Sequence, residues 1–339
     1  MEKPGKLLIG RRRFMLAAAA APLATTLPFA QAAPHDPLPS WRNGTAKKAI
    51  MDFVGTVTNT ESKEYVEPEN RIAVFDNDGT LWSEQPLYFQ LYFMIAQLKE
   101  ASPRHPEWKN DPVFNALMTG DVNAIVKQGV KPALELLAVA NAGMTTEEYG
   151  RKIDDWIHFA RHPRFNRPYT DLVYQPMREL LAYFKANWFK NFIVSGGGIE
   201  FMRAWARHAY DIPPEHVIGS SIKVEFAMKD GQPVLNRLPK LDFIDDGAGK
   251  PVGIYRNIGQ RPIAAFGNSD GDLQMLQWTA GGKGARLLGL IHHTDRQREW
   301  AYDRGSPIGL LDKALDEAYA KGWTVVDMAR DWSRIYRFE

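Results

Sequence analysis

Cysteine is absent from all 339 residues. Its absence excludes disulfides, thiolate metal sites, a cysteine nucleophile and a lipidated N-terminal cysteine. The fold therefore rests on its apolar core, with a bound metal as the remaining kind of cross-link. Long apolar runs are missing too: past the N-terminal region no segment approaches the ~20 apolar residues that span a bilayer. Neither charge dominates. The formal net charge is +2, and setting aside the first 32 residues, with five basic and one acidic, leaves 37 basic against 39 acidic. Without a dense basic stripe, nucleic acid is excluded as a partner. What is present is ordinary: 45% hydrophobic and 24% charged residues, a globular balance that excludes wholesale disorder. The length suits one large domain or a core carrying a smaller one.

The first informative stretch is the N-terminus. Arg11-Arg12-Arg13-Phe14-Met15-Leu16 precedes an Ala-rich apolar run through Leu27, and Ala30-Gln31-Ala32 supplies small residues for cleavage. A basic start, a short apolar stretch and an A-x-A end read as an export signal over residues 1–32; the alternative is an uncleaved anchor. The arginine cluster resembles a twin-arginine signal, the route for proteins exported already folded. The expectation is a periplasmic or secreted protein with no stable membrane anchor after cleavage.

Residues 33–44 read as a Pro-rich linker, and Ala46, Ile50, Phe53, Val54 and Val57 recur at the spacing of an amphipathic helix ending near Val57. Arg71-Ile72-Ala73-Val74-Phe75 is a short apolar run that stops at Asp76-Asn77-Asp78-Gly79: a buried strand feeding a tight turn. The same grammar returns at Asn191–Val194, followed by Ser195-Gly196-Gly197-Gly198 and a helical run over 199–208. It returns again at Ile263–Phe266, followed by Gly267-Asn268-Ser269-Asp270-Gly271-Asp272 and the helical residues 273–276. Strand, polar turn, helix, three times over, predicts an α/β fold with an open parallel sheet. Ligands of such sheets bind at the carboxyl ends of the strands, so the three turns should converge. Residues 85–175 are rich in aromatics at helical spacing and predict a helical cap, inserted after the first turn into a core made of residues 33–84 and 176–339. Further strands are expected at 286–291 and 324–327.

Asp76 and Asp78, two residues apart at a strand end, are placed to bind a divalent cation and to do covalent and acid–base work. On its own such a pair often caps a helix; directly after an apolar strand, as Asp-Asn-Asp-Gly-Thr, it is far more specific. From Arg71 to Leu276 the sequence resembles the haloacid dehalogenase superfamily, and its phosphoserine-phosphatase-like branch above all. Asp76-Asn77-Asp78-Gly79-Thr80 looks like the first motif, Ser195 with Gly196 the second, Lys250 the third, and Gly267 to Asp272 the fourth.

The resemblance implies a Rossmann-like core and an Mg²⁺-dependent phosphomonoester hydrolase acting on a small phosphorylated substrate. It makes Asp76 the nucleophile that forms an aspartyl-phosphate and Asp78 the acid and then the base. Ser195 and the Gly196 amide would bind phosphoryl oxygens, and Lys250 would neutralise charge. The metal would be held by Asp76, the backbone carbonyl of Asp78, and Asn268 and Asp272 of the fourth motif. Lys240 and Lys223 compete for the role of Lys250, which is favoured because one helix over 252–258 fits between it and Gly267. Glu84 is a candidate contact for a substrate amine or hydroxyl.

One departure stands out. Asn268 occupies a position where the family usually carries aspartate, and an amide oxygen ligates a cation without adding charge. Asp270 or Asp272 is then expected to compensate. His292 and His293, adjacent on an extended segment, point to opposite faces and read as loop or core histidines. Trp82, Trp108, Trp156, Tyr88 and Tyr92 read as core, with an aromatic cage for a quaternary ammonium as the alternative. A phosphoryl-transfer mutase, and a chain that has lost catalysis and only binds a phosphorylated ligand, are the competing functions.

Overall fold

A run of four apolar residues, Ile72–Phe75, forms β1, and every one of its side chains is buried. The run shows no polar alternation because both faces of the strand are covered. Ile72 and Val74 point into one apolar cluster, Ala73 and Phe75 into another. That two-sided burial is the mark of a central parallel strand with helices on either side. The structure, a computed structural model, describes residues 36–339 apart from the side chain of Val130; the export signal expected over 1–32 lies outside the described residues. Residues Pro37–Glu339 form one compact unit.

Helix α1 (Thr45–Thr58) comes before β1 and buries Ala46, Ile50, Phe53, Val54 and Val57, the spacing its sequence predicts. After β1 the chain enters five helices: α2 (Phe89–Ala101), α3 (Pro112–Thr119), α4 (Val122–Gln128), α5 (Val130–Ala140) and α6 (Thr146–Phe159). Thr145 closes the start of α6 with a capping box, its hydroxyl accepting from the Glu148 amide while the Glu148 carboxylate accepts from the Thr145 amide. Helices α2 to α5 gather around a third apolar cluster of their own, with Leu91, Met94, Leu98, Leu117, Leu134 and Leu137 inside it. Helix α7 (Gln175–Ala186) leads back to the sheet.

There follow β2 (Lys190–Gly198), α8 (Ile199–Tyr210), β3 (Val217–Lys229), β4 (Gln232–Phe243), α9 (Gly249–Ile258), β5 (Ala264–Gly267) and α10 (Leu273–Ala280). The chain closes with β6 (Leu287–Thr294), β7 (Ala301–Tyr302), α11 (Lys313–Lys321), β8 (Thr324–Asp327) and α12 (Met328–Asp331). The sheet order is β4-β3-β2-β1-β5-β6-β7, with β8 also paired to β6. Strands β1, β2, β5, β6 and β8 are mutually parallel where they pair, and β3 begins parallel to β2. From β1 the chain builds outward through β2 and β3 on one side and through β5 and β6 on the other. The order therefore reverses at β1, and a crevice opens at the carboxyl end of that strand.

The hairpin β3–β4 was not anticipated. Its turn, Asp230-Gly231, holds φ of +54° and +77°, the left-handed pair that suits a tight two-residue hairpin turn. The hairpin outruns the parallel sheet and meets the helical segment: the Gly143 amide donates to the Arg237 carbonyl, and the Arg237 amide to the Met144 carbonyl. The roof above the carboxyl ends is thus built from helices and a β-ribbon together. Helix α9 begins at Gly249 rather than at residue 252, which puts Lys250 in a first helical turn instead of a loop.

Candidate active site

The three strand-to-turn junctions converge. Phe75 lies in register with Ile193 on one side and Phe266 on the other, so Asp76, Ser195 and the loop after Gly267 emerge at one level. The Asp76 amide donates to the Phe266 carbonyl, which ties the first turn to the third. Lys250 enters from α9 beneath them. Its ammonium lies 2.5 Å from Asp76 Oδ1, 2.6 Å from Asp272 Oδ1 and 2.9 Å from the Val194 carbonyl, with only 2% of the side chain exposed. Three charge-assisted donors are thereby satisfied. Lys223 and Lys240 are exposed on the hairpin, and neither pairs with these carboxylates.

The electrostatics follow from this crowding. Burial alone would depress the Lys250 ammonium, but the Asp272 and Asp76 carboxylates more than offset it and hold the lysine above its ordinary value. Asp76 is pushed well above the usual carboxylate range by burial and by Asp272, with Lys250 opposing. Asp78 is raised to about 6 by burial, against the pull of the Trp82 indole N–H, which donates to its Oδ1 at 2.8 Å. Asp78 can therefore carry a proton near neutrality, a condition for a general acid.

Asp272 orders the third loop. Its Oδ1 holds Lys250, and its Oδ2 accepts from the Asn268 and Ser269 amides at 2.9 and 3.1 Å. Asp270 is elsewhere. Its carboxylate accepts from the amides of Asp312, Lys313 and Ala314, so it caps the start of α11 and does not compensate for Asn268. The Asn268 amide is turned away from the crevice: Oδ1 accepts from the Thr80 hydroxyl at 3.0 Å, and Nδ2 donates to Glu84 Oε1 at 2.7 Å. Flipping it would set oxygen against a carboxylate, which fixes its orientation. Glu84 Oε1 also accepts from the Tyr302 hydroxyl at 2.8 Å.

Gly79 makes this packing possible. At φ +73° it occupies the left-handed region, and a Cβ there would strike both Asn268 and Glu84. His293 supports the same turn, with Nε2 at 2.8 Å from the Gly79 carbonyl and Nδ1 at 3.1 Å from Glu299, while His292 faces the other way and is partly exposed.

Above these groups lies a cavity of about 130 Å³ lined by Asp76, Asp78, Glu84, Ser195, Gly196 and Lys250 below. Tyr88, Gln90, Leu91, Met94 and Leu134 line it above, and Gly197, Asp246 and Ser269 complete it. Gln90 joins roof to floor, because its Oε1 accepts from the Gly198 amide at 2.7 Å. Of the five aromatics weighed as a cage, only Tyr88 reaches this cavity. Trp82 stacks on Trp205, Trp156 stacks on Tyr169, and Trp108 sits in the helical cluster. The cage is not formed.

Sequence reasoning missed Gln90, Tyr302 and Arg237, while His293 is a satisfied core histidine as expected. Gln90 had a faint signal, as a polar residue inside the apolar run Phe89–Phe93; the others act through partners far away in the chain. Arg237 lies in a much smaller hollow that shares Gln90 and Leu134 with the main cavity. Its guanidinium pairs with Glu200 and stacks 3.5 Å from the Tyr149 ring centroid.

A model of the haloacid dehalogenase-like hydrolases matches residues 73–277, more than half of the chain. The chain belongs to the haloacid dehalogenase-like hydrolase family. Among curated proteins none matches. Among solved structures, the chain is similar to a protein of unknown function from Bordetella pertussis Tohama I, at 16% identity over 76% of this chain and 99% of that one, TM-score 0.49. It is also similar to a conserved protein of unknown function from Anaerococcus prevotii DSM 20548, at 17% identity over 83% and 91%, TM-score 0.45. A third is a phosphoserine phosphohydrolase-like protein from Francisella tularensis subsp. tularensis SCHU S4, at 15% identity over 74% and 99%, TM-score 0.37. At such identities and TM-scores no residue role, activity or substrate is taken from these likenesses.

Magnesium, which the family implies, takes oxygen ligands and keeps several of its waters. The carboxylates of Asp76, Asp78 and Glu84 on the floor of the cavity are oxygen donors of that kind. Among the described residues no three His, Asp or Glu side chains form a metal cage by themselves, so a backbone carbonyl and water must complete any coordination shell. That requirement suits Mg²⁺ and excludes a closed all-side-chain site. The residues present fit the ion.

Proposed function

We propose that this hydrolase is a Mg²⁺-dependent phosphatase that cleaves a small phosphomonoester through an aspartyl-phosphate on Asp76. The observation that carries the reading is the buried Lys250 ammonium held between Asp76 and Asp272 where three neighbouring parallel strands end. The ammonium opposes the burial that raises Asp76 and so favours the ionised carboxylate that attacks, and it offsets repulsion from the incoming phosphoryl oxygens. Asp76 attacks phosphorus and the bond to the leaving oxygen breaks. Asp78 gives its proton to that oxygen, then takes one from the water that opens the acyl phosphate and releases inorganic phosphate. The Ser195 hydroxyl and the Gly196 amide, both on the cavity wall, bind phosphoryl oxygens. Mg²⁺, held by Asp76, the Asp78 carbonyl and water, would supply the remaining positive charge.

The lining also speaks to the leaving group. Lys250 is the sole cation on the cavity wall among the described residues, while Asp246 and Glu84 add negative charge and Leu91, Met94 and Leu134 add apolar surface. A second anionic group on the substrate would be repelled there, so the preferred leaving group is uncharged or cationic and partly apolar. The test compares turnover of p-nitrophenyl phosphate, phosphoethanolamine and phosphoserine by the purified protein with and without Mg²⁺. Metal-dependent turnover with phosphoserine poorest supports the reading. No turnover of any of them, or equal turnover after Asp76→Asn, would end it.

The basic and apolar pattern of residues 1–32 supports an exported enzyme, since the chain has no cysteine to suffer in an oxidising space. No helix among the described residues is long and apolar enough to cross a membrane. Cell fractionation with an intact-mass measurement tests this: full-length protein in the cytosol would contradict it.

A further inference from the structure

Asn268 leaves the loop after β5 one negative charge short, and neither nearby aspartate makes it good. Asp270 is turned to the start of α11, and both oxygens of Asp272 are engaged by Lys250 and two backbone amides. The carboxylate that Asn268 does touch comes from a different part of the chain. Glu84, six residues past Asp78, is 1% exposed and lines the cavity beside Asp76 and Asp78. Both of its hydrogen bonds, from Asn268 Nδ2 and from the Tyr302 hydroxyl, go to Oε1. Its Oε2 has no hydrogen-bond partner among the described residues. Asp76 is built the same way, with Oδ1 on Lys250 and no hydrogen-bond partner for Oδ2 among the described residues. Two buried carboxylates that line one cavity thus each keep one oxygen without such a partner. Burying an unpaired anion is costly unless a cation meets it.

We infer that Glu84 carries the charge that Asn268 lacks, so that the cation site of this chain is completed from the loop after β1, with Asn268 converted from ligand to the donor that orients Glu84. The inference rests on the cation-dependent reading above and assigns Glu84 to the metal rather than to the substrate. It also accounts for the amide at position 268. An aspartate there would set a carboxylate against Glu84 and lose the donor, whereas Asn neutralises the contact and holds Oε1 in place. Tyr302 fixes the other side.

Glu84→Gln is a clean perturbation, because the glutamine Oε1 still accepts from Asn268 and Tyr302 while the charge and the free carboxylate oxygen are lost. Mg²⁺ binding to the intact protein is measured by isothermal titration calorimetry, with thermal unfolding in EDTA and in Mg²⁺ as a second readout. For a charged oxygen on a divalent ion the expected loss is at least tenfold in Kd, and the Mg²⁺-induced rise in Tm shrinks with it. Asn268→Asp alone lowers Tm in EDTA, and Mg²⁺ restores it. The pair Asn268→Asp with Glu84→Gln returns the charge to the loop after β5, and its Kd recovers to within a few-fold of the parent.

Three results would overturn the inference. One is an unchanged Mg²⁺ Kd in Glu84→Gln with a raised KM, which makes Glu84 a substrate contact. Another is a double variant no better than Glu84→Gln, which means that charge is not exchanged between the two positions. The third is a parent protein that binds no Mg²⁺, which removes the cation-dependent function as well and is told apart by that fact.

Discussion

Asp245 offers a stability prediction with a definite sign. It precedes the α9 turn, is 0% exposed, and neither carboxylate oxygen has a hydrogen-bond partner among the described residues. Burial raises it from 3.8 to about 7, with the Lys250 charge holding it back. Between those values the folded chain keeps a proton that the unfolded chain has released, so stability falls as pH rises through the window. At 1.36 kcal/mol per unit, a shift of roughly three units makes the ionised group cost about 4 kcal/mol above pH 8, of which about 3 kcal/mol develops between pH 5 and pH 8.5. Asp245→Asn abolishes the titration. Its own buried amide adds a cost of ~1–3 kcal/mol, but that cost is the same at both pH values and cancels in the difference. Urea unfolding of parent and variant at pH 5 and pH 8.5 measures it. The parent should lose about 3 kcal/mol more than the variant over that interval. Equal pH dependence of the two proteins would show that Asp245 is not held as a buried carboxyl, and the reasoning from its burial would fail.

Three further outcomes are expected. Lys250→Met leaves Asp76 and Asp272 facing each other without a counter-ion; turnover should fall at least ~10³-fold and stability by about 3–5 kcal/mol, read from p-nitrophenyl phosphate kinetics and urea unfolding. Asp270→Ala removes the acceptor of three amides at the start of α11 and should cost about 1–2 kcal/mol in unfolding while leaving the Mg²⁺ Kd unchanged; a large loss of metal affinity would restore Asp270 to the site. Trp82→Phe removes the indole donor that favours the Asp78 anion, so the Asp78 value rises above about 6 and the alkaline limb of the kcat–pH profile moves upward. A limb that moves down, or stays, would remove Asp78 as the acid.

Much of the sheet was readable because parallel strands covered on both faces leave continuous apolar runs. Ile72–Phe75 and Ala264–Phe266 are such runs, each ended by the polar turn that carries chemistry. The lysine that meets Asp76 was also readable, from its separation along the chain from Gly267, although its place in a helical turn was not. The hairpin escaped for the opposite reason. Val224, Phe226 and Met228 alternate correctly but are exposed, and a strand run that extends beyond the sheet was passed over even with Asp230-Gly231 between its arms. The surroundings of Glu84 were out of reach. Its partners Asn268 and Tyr302 lie 184 and 218 residues away, and only the fold brings them together. Asp270 departs from expectation because proximity in sequence to Asn268 says nothing about direction: two residues further along a tight turn, its carboxylate points to α11.

An aspartyl-phosphate on Asp76 is open to chemical trapping. Enzyme quenched during turnover of a phosphomonoester is reduced with borohydride, which converts an acyl phosphate to homoserine, and digested for mass spectrometry. Homoserine is expected at position 76 and nowhere else, dependent on substrate and absent from Lys250→Met. Phosphate release continuing in a sample whose Asp76 is wholly unmodified would contradict it.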